Sequence, residues 1–502
     1  MSNLTSIFKS VPTSDWIATF IALILILILL FIFEIASKKY GLKKSHSRKA
    51  VHFIVGILIC IASYLLISNV PILILALTFL FFDWWAIKTH HFTSIHQQAQ
   101  SLGTVFYPLA VFLLALLLWY NHKPIFIIAI LIMVIPDSLA ALVGEKYPER
   151  QVVLLKEKKS VQGAVTMFIS TQVLVFIALY VFRENALSDS VIISIMIALL
   201  ATASELLSIK GSDNLSVPVL SALFLYAYLD NTLKEQLTLG IILSTITGYL
   251  SYKLKFLTID GALMAFILGS ILFGFGGIPF AVPILVFFLF SSLLSFVGKK
   301  KKKPLESLYA KTGKRDLYQV NANGGIAAIV VLVGYLFSMN TIYPVYLVAI
   351  AAATADTLAT ELGVFSKKKP RLITNLRQVR PGTSGAISFL GSFAALLGST
   401  IIAMIGYLIN PEKIGIDTEP QVVLGIVIIA GFISSFIDSI LGATVQGQYN
   451  CTVCNNLTER TSHCGCDTQL VKGYRFITND FVNIFSILTV TFLTFMYYIY
   501  CI

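Results

Sequence analysis

Charge is what this sequence has least of. Asp, Glu, Lys and Arg make up 12% of its 502 residues, against 57% hydrophobic residues, and mean hydropathy is +0.84. A soluble domain carries about 25% charged residues, so a soluble globular chain is excluded. No Gly-x4-Gly-Lys-[Ser/Thr] stretch occurs, which excludes an ordinary P-loop nucleotide hydrolase. Cysteine is sparse, six residues with four of them in one loop, so no chain-wide disulfide framework is expected. Acids are fewer than bases, 25 against 37. That excess is not a nucleic-acid signature, because it is sorted by topology.

What the chain does have is apolar runs long enough to cross a bilayer. They lie at 16–36, 51–68, 70–87, 104–120, 123–143, 163–182, 189–207, 236–253, 259–275, 277–297, 323–339, 341–362, 384–408, 421–443 and 480–500, with a short run at 216–229. The first is too long and wrongly flanked for a cleavable signal. The expected fold is an all-α polytopic membrane protein of about 15–16 transmembrane helices, in two halves, 1–235 and 236–502. Let the short run cross and the loop after the first helix be cytoplasmic. All basic residues except Lys9, Lys123, Arg183, Lys234 and Lys413 then fall on one side, the asymmetry of the positive-inside rule. The acidic motifs sit on that same side, which a topology signal alone does not explain.

Two of those motifs close apolar runs: Asp356-Thr-Leu-Ala-Thr-Glu-Leu-Gly363 and Asp137-Ser-Leu-Ala-Ala-Leu-Val-Gly144. Both read Asp-[Ser/Thr]-Leu-Ala-x3-Gly. Ionisable groups in such segments are functional by default. On a helix, positions i, i+4 and i+7 share a face. Asp137 therefore lines up with Ala141 and Gly144, and Asp356 with Thr360 and Gly363. One acid above two small residues lets a ligand or another backbone come close. Glu361, at i+5 from Asp356, points away from it, so the two share a metal only if the helix unwinds.

In the first half, Arg48-Lys49-Ala-Val-His52 is a basic pair feeding a helix with an early histidine. It suits a phosphate grip, while His52 alone reads equally as an interfacial residue with a structural hydrogen bond. His90, His91 and His96 lack companion carboxylates or cysteines and read as loop residues. Lys158-Lys159-Ser-Val-Gln-Gly163 can offer ammonium charge and helix N-terminal N–H groups to phosphate. Asp137, Glu205, Asp213 and Asn214 complete a set of oxygen ligands beside Lys and Arg, suited to Mg2+ bridging phosphates.

These residues resemble the phytol kinase and dolichol kinase family of CTP-dependent prenol kinases, which shares features with bacterial membrane cytidylyltransferases. The resemblance covers about residues 40–230. It rests on Arg48-Lys49-x2-His52, Asp137-Ser-x-Ala140-x3-Gly144, Lys159-Ser-x-Gln-Gly163 and Glu205-x5-Gly211-x-Asp213-Asn214-x3-Pro218. It departs at Gln162, where such proteins often have Glu, and at Pro136, where Gly is common.

The second half carries Gly274-x-Gly276-Gly277, which lacks the strand–helix setting of a dinucleotide loop and reads as a helix break or close packing. It resembles the transmembrane protein 19 family, to which plant phytyl-phosphate kinase belongs, over about 257–495. The resemblance is carried by Gln319-Val-x-Ala-Asn-Gly-Gly325, Ala355-Asp-Thr-x3-Glu361-x-Gly363, Pro381-Gly-Thr-Ser-Gly385, Asp438-Ser-x-Leu-Gly-Ala443 and Asn479-Asp-x-Val-Asn483. It implies addition of a second phosphate to a prenyl monophosphate, in a chain that looks like a fusion of the two kinases. The halves also look duplicated, with Gly163-Ala-Val-Thr aligning on Gly385-Ala-Ile-Ser and Gly103-Thr104 on Asn323-Gly324.

The cysteine loop reads Cys451-x2-Cys454-x8-His463-Cys464-x-Cys466. That spacing suits structural zinc, with free thiols in a solvated loop as the other reading. On the reducing side of the membrane disulfides are not expected.

Taken together, these resemblances imply a bifunctional, multi-pass isoprenoid kinase with both sites facing the cytoplasm. Its partners would be membrane lipid, a prenol of phytol or geranylgeraniol type, its phosphate, and CTP or another nucleoside triphosphate. In the first site Asp137, Glu205, Asp213 and Asn214 would hold Mg2+, Arg48, Lys49, Lys158 and Lys159 would meet nucleotide phosphates, and His52 would polarise the prenol hydroxyl. In the second, Asp356, Glu361, Asp438, Asn479, Asp480 and Asn483 would hold Mg2+. Arg315, Arg377 and Arg380 would grip the substrate monophosphate, which arrives ionised. Phosphoryl transfer runs on such metal-binding carboxylates and cationic clamps. Two alternatives stay open. A lipid-phosphate cytidylyltransferase has the same metal and nucleotide needs. A secondary transporter also shows internal repeats and intramembrane acids, but its site lies near the midplane, whereas these acids cluster at span ends.

Overall fold

The computed structural model describes residues 11–40, 44–89, 102–155, 157–183, 186–229, 232–302, 313–414 and 419–500. Lys9, His90, His91 and His96 lie outside them. The chain forms two compact units, Met1–Thr238 and Leu239–Ile502. Thirteen helices among the described residues are long and apolar enough to cross a membrane. Strands are confined to short pairings in the connecting loops, as an all-α membrane protein requires, because only helices satisfy their own backbone in lipid.

The first unit runs α1 (Thr13–Tyr40), α2 (Lys44–Leu65), α3 (Val70–Thr89) and α4 (Gly103–Lys146), then the antiparallel pair β1 (Gln151–Leu154) and β2 (Glu157–Ser160). After these come α5 (Val161–Arg183), α6 (Leu187–Leu206) and the shorter α7 (Asp213–Leu229). A straight α4 of 44 residues would be about 66 Å long, about twice the hydrocarbon thickness of a bilayer. Instead it folds back. His122 leaves helical geometry at φ −138°, ψ 33°, two residues before Pro124, whose ring cannot donate to the helix and crowds the preceding turn. His52 touches both limbs: its ring lies 4.6 Å from that of Tyr107, and its Nε2 lies 3.3 Å from the Met133 carbonyl. Those two residues would stand about 39 Å apart on a straight helix. The separate runs at 104–120 and 123–143 are thus the two limbs of one helical hairpin. Near the turn, Trp119 Nε1 donates to Ile67 O at 3.0 Å and Tyr120 Oη to Asn69 Oδ1 at 2.9 Å. Buried Asp15 accepts from the N–H groups of Ile67 and Ser68.

Helix α8 (Lys234–Lys253) carries the division between the units. The second unit continues with α9 (Ile259–Gly276), α10 (Ile278–Lys302), α11 (Leu317–Leu336) and α12 (Ile342–Gly363), then the antiparallel pair β3 (Arg371–Leu372) and β4 (Ala386–Ile387). Helices α13 (Phe389–Ile409), α14 (Pro411–Ile414) and α15 (Pro420–Thr444) follow. A loop with strands β5 (Gln448–Asn450), β6 (Leu457–Thr458), β7 (Ser462–His463), β8 (Cys466–Asp467) and β9 (Gln469–Lys472) leads into α16 (Asn479–Tyr500). The glycine cluster serves both readings the sequence allowed. Gly277 caps α9 at φ 73°, and Gly274 meets Gly240, where a Cβ on Gly240 would sit 2.7 Å from the Gly274 nitrogen. Helix α12 is the centre of this unit and the most buried of its spans. Its run of alanines, 351–353 and 355, is almost wholly inaccessible, and small side chains are what lets several helices crowd round one.

Both units contain one local construction. A helix carrying the Asp-x2-Ala-x3-Gly motif leads through an antiparallel strand pair to a Ser-capped helix that crosses it at glycine. In the first unit Ser160 Oγ accepts from Gly163 N at 2.9 Å, and a Cβ on Gly163 would lie 3.0 Å from Ala140 O and 3.5 Å from Gly144 Cα. In the second, Ser388 Oγ accepts from Gly391 N at 3.1 Å, and a Cβ on Gly391 would lie 3.2 Å from Ala359 O and 3.7 Å from Gly363 Cα. Gly163 therefore corresponds to Gly391, not to Gly385 as the motif alignment had it. Gly385 does different work. At φ +76° it is in the left-handed region, and a Cβ there would lie 2.4 Å from Ala443 Cβ and 2.5 Å from Ser439 O, so the 381–385 turn presses its backbone onto α15.

The crossing tolerates no branched side chain. Gly163→Val is expected to lower stability by about 1–3 kcal/mol through overpacking, read as a fall in the melting temperature of detergent-solubilised protein. Val at Gly425, whose Cβ position meets nothing within 4 Å, is the matched control.

Candidate functional site

The first unit encloses a cavity of about 660 Å3. Nine side chains expected from sequence line it: Arg48, Lys49 and His52 from α2, Asp137 from α4, Lys158 and Lys159 from β2, Glu205 from α6, and Asp213 and Asn214 from the start of α7. Much of the rest of the wall is apolar, with Ile26 and Leu30 of α1 and Ile59, Ile72, Leu75 and Phe79 of α2 and α3, and Asp83 of α3 is set among them. One space thus joins a charged mouth to a hydrocarbon-like interior.

Lys159 is held at the mouth by Glu205: its Nζ lies 2.8 Å from Glu205 Oε1, 3.1 Å from Glu205 O and 3.2 Å from Ser208 Oγ. Burial works against this ammonium's charge. The charge and hydrogen bond of Glu205, with Asp213 and Glu157 behind, outweigh it and hold its pKa above the ordinary lysine value. Lys49 pairs with Glu145, and Lys158 is exposed at the rim. Asn214 Nδ2 donates to Gly103 O at 2.8 Å, which ties α7 to the start of α4 and leaves the amide oxygen for another partner. Asp137 feels the charges of Asp213 and Glu205, and Asp213 Oδ1 is buried with no hydrogen-bond partner. Carboxylate and amide oxygens, one of them buried and unsatisfied, are the donor type Mg2+ takes, so the residue types present suit Mg2+; among the described residues only the cysteine loop groups its candidate ligand atoms within 4.8 Å.

His52 gains a tautomer from its surroundings. The Met133 carbonyl can only accept, so the Nε2 facing it carries the proton. Nδ1 is then the basic nitrogen. Tyr107, edge-on to the ring at 4.6 Å, fixes its plane. The sequence reading passed over Tyr107, Glu145, Glu157 and Lys210, all lining the cavity. The acid-base alternation of 145–159 could have hinted at Glu145 and Glu157, but Tyr107 and Lys210 stand outside it.

In the second unit the expected ligands divide into two groups. Asp438 on α15 faces the charges of Asp356 and Glu459, and with its amide turned to suit its neighbours Asn483 donates to Asp438 Oδ2 at 2.8 Å and to Asn479 O at 3.1 Å. Asp480 stands in the same first turn of α16. Glu361 belongs elsewhere. Helix α12 is unbroken through Gly363, so Glu361 lies about 140° round the helix from Asp356. Its Oε1 accepts from Ser295 Oγ at 2.7 Å. One turn away on α10, Ser291 Oγ accepts from an Arg315 Nη at 2.8 Å. Burial pulls the Arg315 guanidinium down and the Glu361 charge opposes that, so these two read as mutual counter-charges. Arg377 and Arg380 are exposed on the loop joining β3 to β4, their guanidinium groups bonded to nothing among the described residues. Glu459, which sequence reasoning missed, accepts at one Oε1 from Ser384 Oγ and Gln446 Nε2, both at 2.8 Å. No periodicity marks an acid that acts from a loop.

Fold and sites define a polytopic membrane protein with carboxylate clusters at helix ends. Residues 242–491 match the family of integral membrane proteins described as Integral membrane protein DUF92. Protein PGR of Arabidopsis thaliana is 31% identical over 277 residues, 52% of this chain and 95% of that protein. The chain belongs to this family. It is also similar to the phytol kinase of Synechocystis, at 36% identity over 131 residues, 25% of this chain and 54% of that protein. With the chloroplast protein VTE6 of Arabidopsis thaliana it shares 23% identity over 236 residues, 46% of this chain and 62% of that protein. No solved structure matches the chain. The resemblances to the phytol kinase and transmembrane protein 19 families therefore stand.

Proposed function

We propose that the chain is a prenyl-lipid kinase working in two steps, from prenol to monophosphate in the first unit and from monophosphate to diphosphate in the second. The observation that carries this reading is the cavity, which joins cations and carboxylates at its mouth to an apolar interior of a size for a prenyl tail. A phytol kinase among the relatives supports the same chemistry. Both sites face the cytoplasm in this reading, on the side where the basic loops lie.

In the first step the tail lies among Ile59, Ile72, Leu75 and Phe79 and the hydroxyl lies at His52. Arg48, Lys158 and the outer face of Lys159 meet the phosphates of CTP or a related nucleotide. Asp137, Glu205, Asp213 and the Asn214 oxygen would hold Mg2+, which would supply positive charge against the phosphates. The prenol oxygen bonds to the γ-phosphorus as the bond to the β-bridging oxygen breaks, and the hydroxyl proton passes to His52 Nδ1. Products are prenyl monophosphate and nucleoside diphosphate. In the second step the substrate is already ionised and needs no base. Asp356, Asp438 and Asn483, with Asn479 and Asp480 beside them, take the metal role. Arg377 and Arg380, whose guanidinium groups have no partner among the described residues, take the monophosphate. Glu361 balances Arg315.

Purified protein with CTP, Mg2+ and a panel of prenols is expected to give monophosphate and then diphosphate, resolved by mass. Retention of cytidine on the lipid would establish a cytidylyltransferase instead. No lipid product with any nucleotide would remove the kinase reading.

A further inference from the structure

The loop between α15 and α16 brings together four groups from two separate stretches of chain. The Sγ atoms of Cys451, Cys454 and Cys464 and a ring nitrogen of His463 all lie within 4.8 Å of one another. Individual separations are those of a coordination shell. Cys464 Sγ lies 3.2 Å and Cys454 Sγ 3.5 Å from His463 Nδ1. Two ligands of a tetrahedral zinc, with bonds of about 2.3 Å to sulfur and about 2.0 Å to nitrogen, stand about 3.5 Å apart. The ligands come from two turns. Cys451 and Cys454 flank a turn closed by Asn455 N donating to Cys451 O at 2.9 Å. His463 and Cys464 sit on the β7–β8 hairpin, where Cys464 and Gly465 take left-handed backbone at φ 54° and 78°. Cys466 lies across β7–β8 from His463, exposed and outside the cluster. The five-ligand set read from sequence is thus reduced to four, the number a closed structural site takes.

The same loop has a second anchor. Glu459, between the two ligand pairs, accepts from Ser384 of the 381–385 turn and from Gln446 at the end of α15. That turn is the one whose Gly385 backbone rests on α15 at Ser439 and Ala443. We propose that Cys451, Cys454, His463 and Cys464 bind one zinc ion, and that the metal shapes the loop so that Glu459 clamps the 381–385 turn against α15. The ion is structural: four protein ligands leave it no open position. The ion would tie the Cys451–Cys454 turn to the β7–β8 hairpin on either side of Glu459, in a loop whose strands are only two to four residues long.

Full-length protein purified in detergent without chelators is expected to hold about one zinc per chain by mass-spectrometric metal analysis. Replacement by Co2+ should give the visible bands of tetrahedral thiolate–cobalt. Cys454→Ser and Cys464→Ser should each lose that spectrum or shift it, while Cys466→Ser keeps both metal and spectrum. Absence of stoichiometric zinc together with no cobalt–thiolate spectrum would overturn the site. Loss of metal in Cys466→Ser as severe as in Cys464→Ser would overturn the ligand set. The clamp is read separately, by hydrogen–deuterium exchange over 379–387. Removing zinc, or Glu459→Gln with zinc retained, should accelerate exchange there at least severalfold while leaving α12 protected. Unchanged exchange in zinc-free protein would overturn the clamp even with the metal site intact.

Discussion

Asp137→Asn is expected to abolish conversion of prenol to prenyl monophosphate and to leave conversion of added monophosphate to diphosphate near the parent rate. The amide keeps the shape of the carboxylate and removes its charge. Among Asp137, Asp213 and Glu205 one missing negative charge weakens the hold on a divalent cation, and loss of such a metal contact in a transition state is worth several kcal/mol. A fall of about a thousandfold corresponds to about 4 kcal/mol. The crossing of Gly144 on Gly163 lies two helical turns from the substitution and does not involve the carboxylate, so the melting temperature should stay close to the parent's. Adding prenol, nucleotide and Mg2+ and separately monophosphate, nucleotide and Mg2+ gives the two rates. Loss of both would mean one shared site in place of two. Normal prenol phosphorylation would remove Asp137 from the chemistry.

The polar lining of the candidate first site was largely legible because its residues fall at or beside span ends, where a charge is costly. Asp137 and Glu205 fall inside apolar runs, Arg48, Lys159 and Asp213 stand just before the next ones, and all five line one cavity. The reversal in α4 was legible for a similar reason, since the polar Asn121-His122-Lys123 before Pro124 divides two apolar stretches. What escaped depends on contacts that short motifs do not encode. Gly163-Ala-Val-Thr and Gly385-Ala-Ile-Ser match as strings, but helix capping by Ser160 and Ser388 and the crossings below them pair Gly163 with Gly391. The division of the second site was half legible. The i+5 spacing already turned Glu361 from Asp356, but its partners Ser295 and Arg315 come from distant segments. Glu459 carried no signal, because its role follows from where a folded loop places it.

Asp356→Asn tests the second site. Asp356 lies about two turns before the end of the most buried helix of its unit and acts on the charge of Asp438, which Asn483 holds by a hydrogen bond at 2.8 Å. As one of two acids facing each other, it supplies charge that Asn483 and Asn479 cannot replace. Removing it should slow monophosphate phosphorylation by at least about a hundredfold, about 3 kcal/mol in the barrier. The first unit is unaltered, so prenol and CTP should then give accumulating prenyl monophosphate, visible by mass as a product the parent enzyme consumes. Glu361→Gln separates this from a general defect. Its carboxylate answers Arg315 across Ser291 and Ser295, so that change should lower thermal stability with a smaller loss of rate per folded molecule. Well-folded Asp356→Asn protein that makes diphosphate at the parent rate would displace the second site from the α12–α15–α16 helix ends.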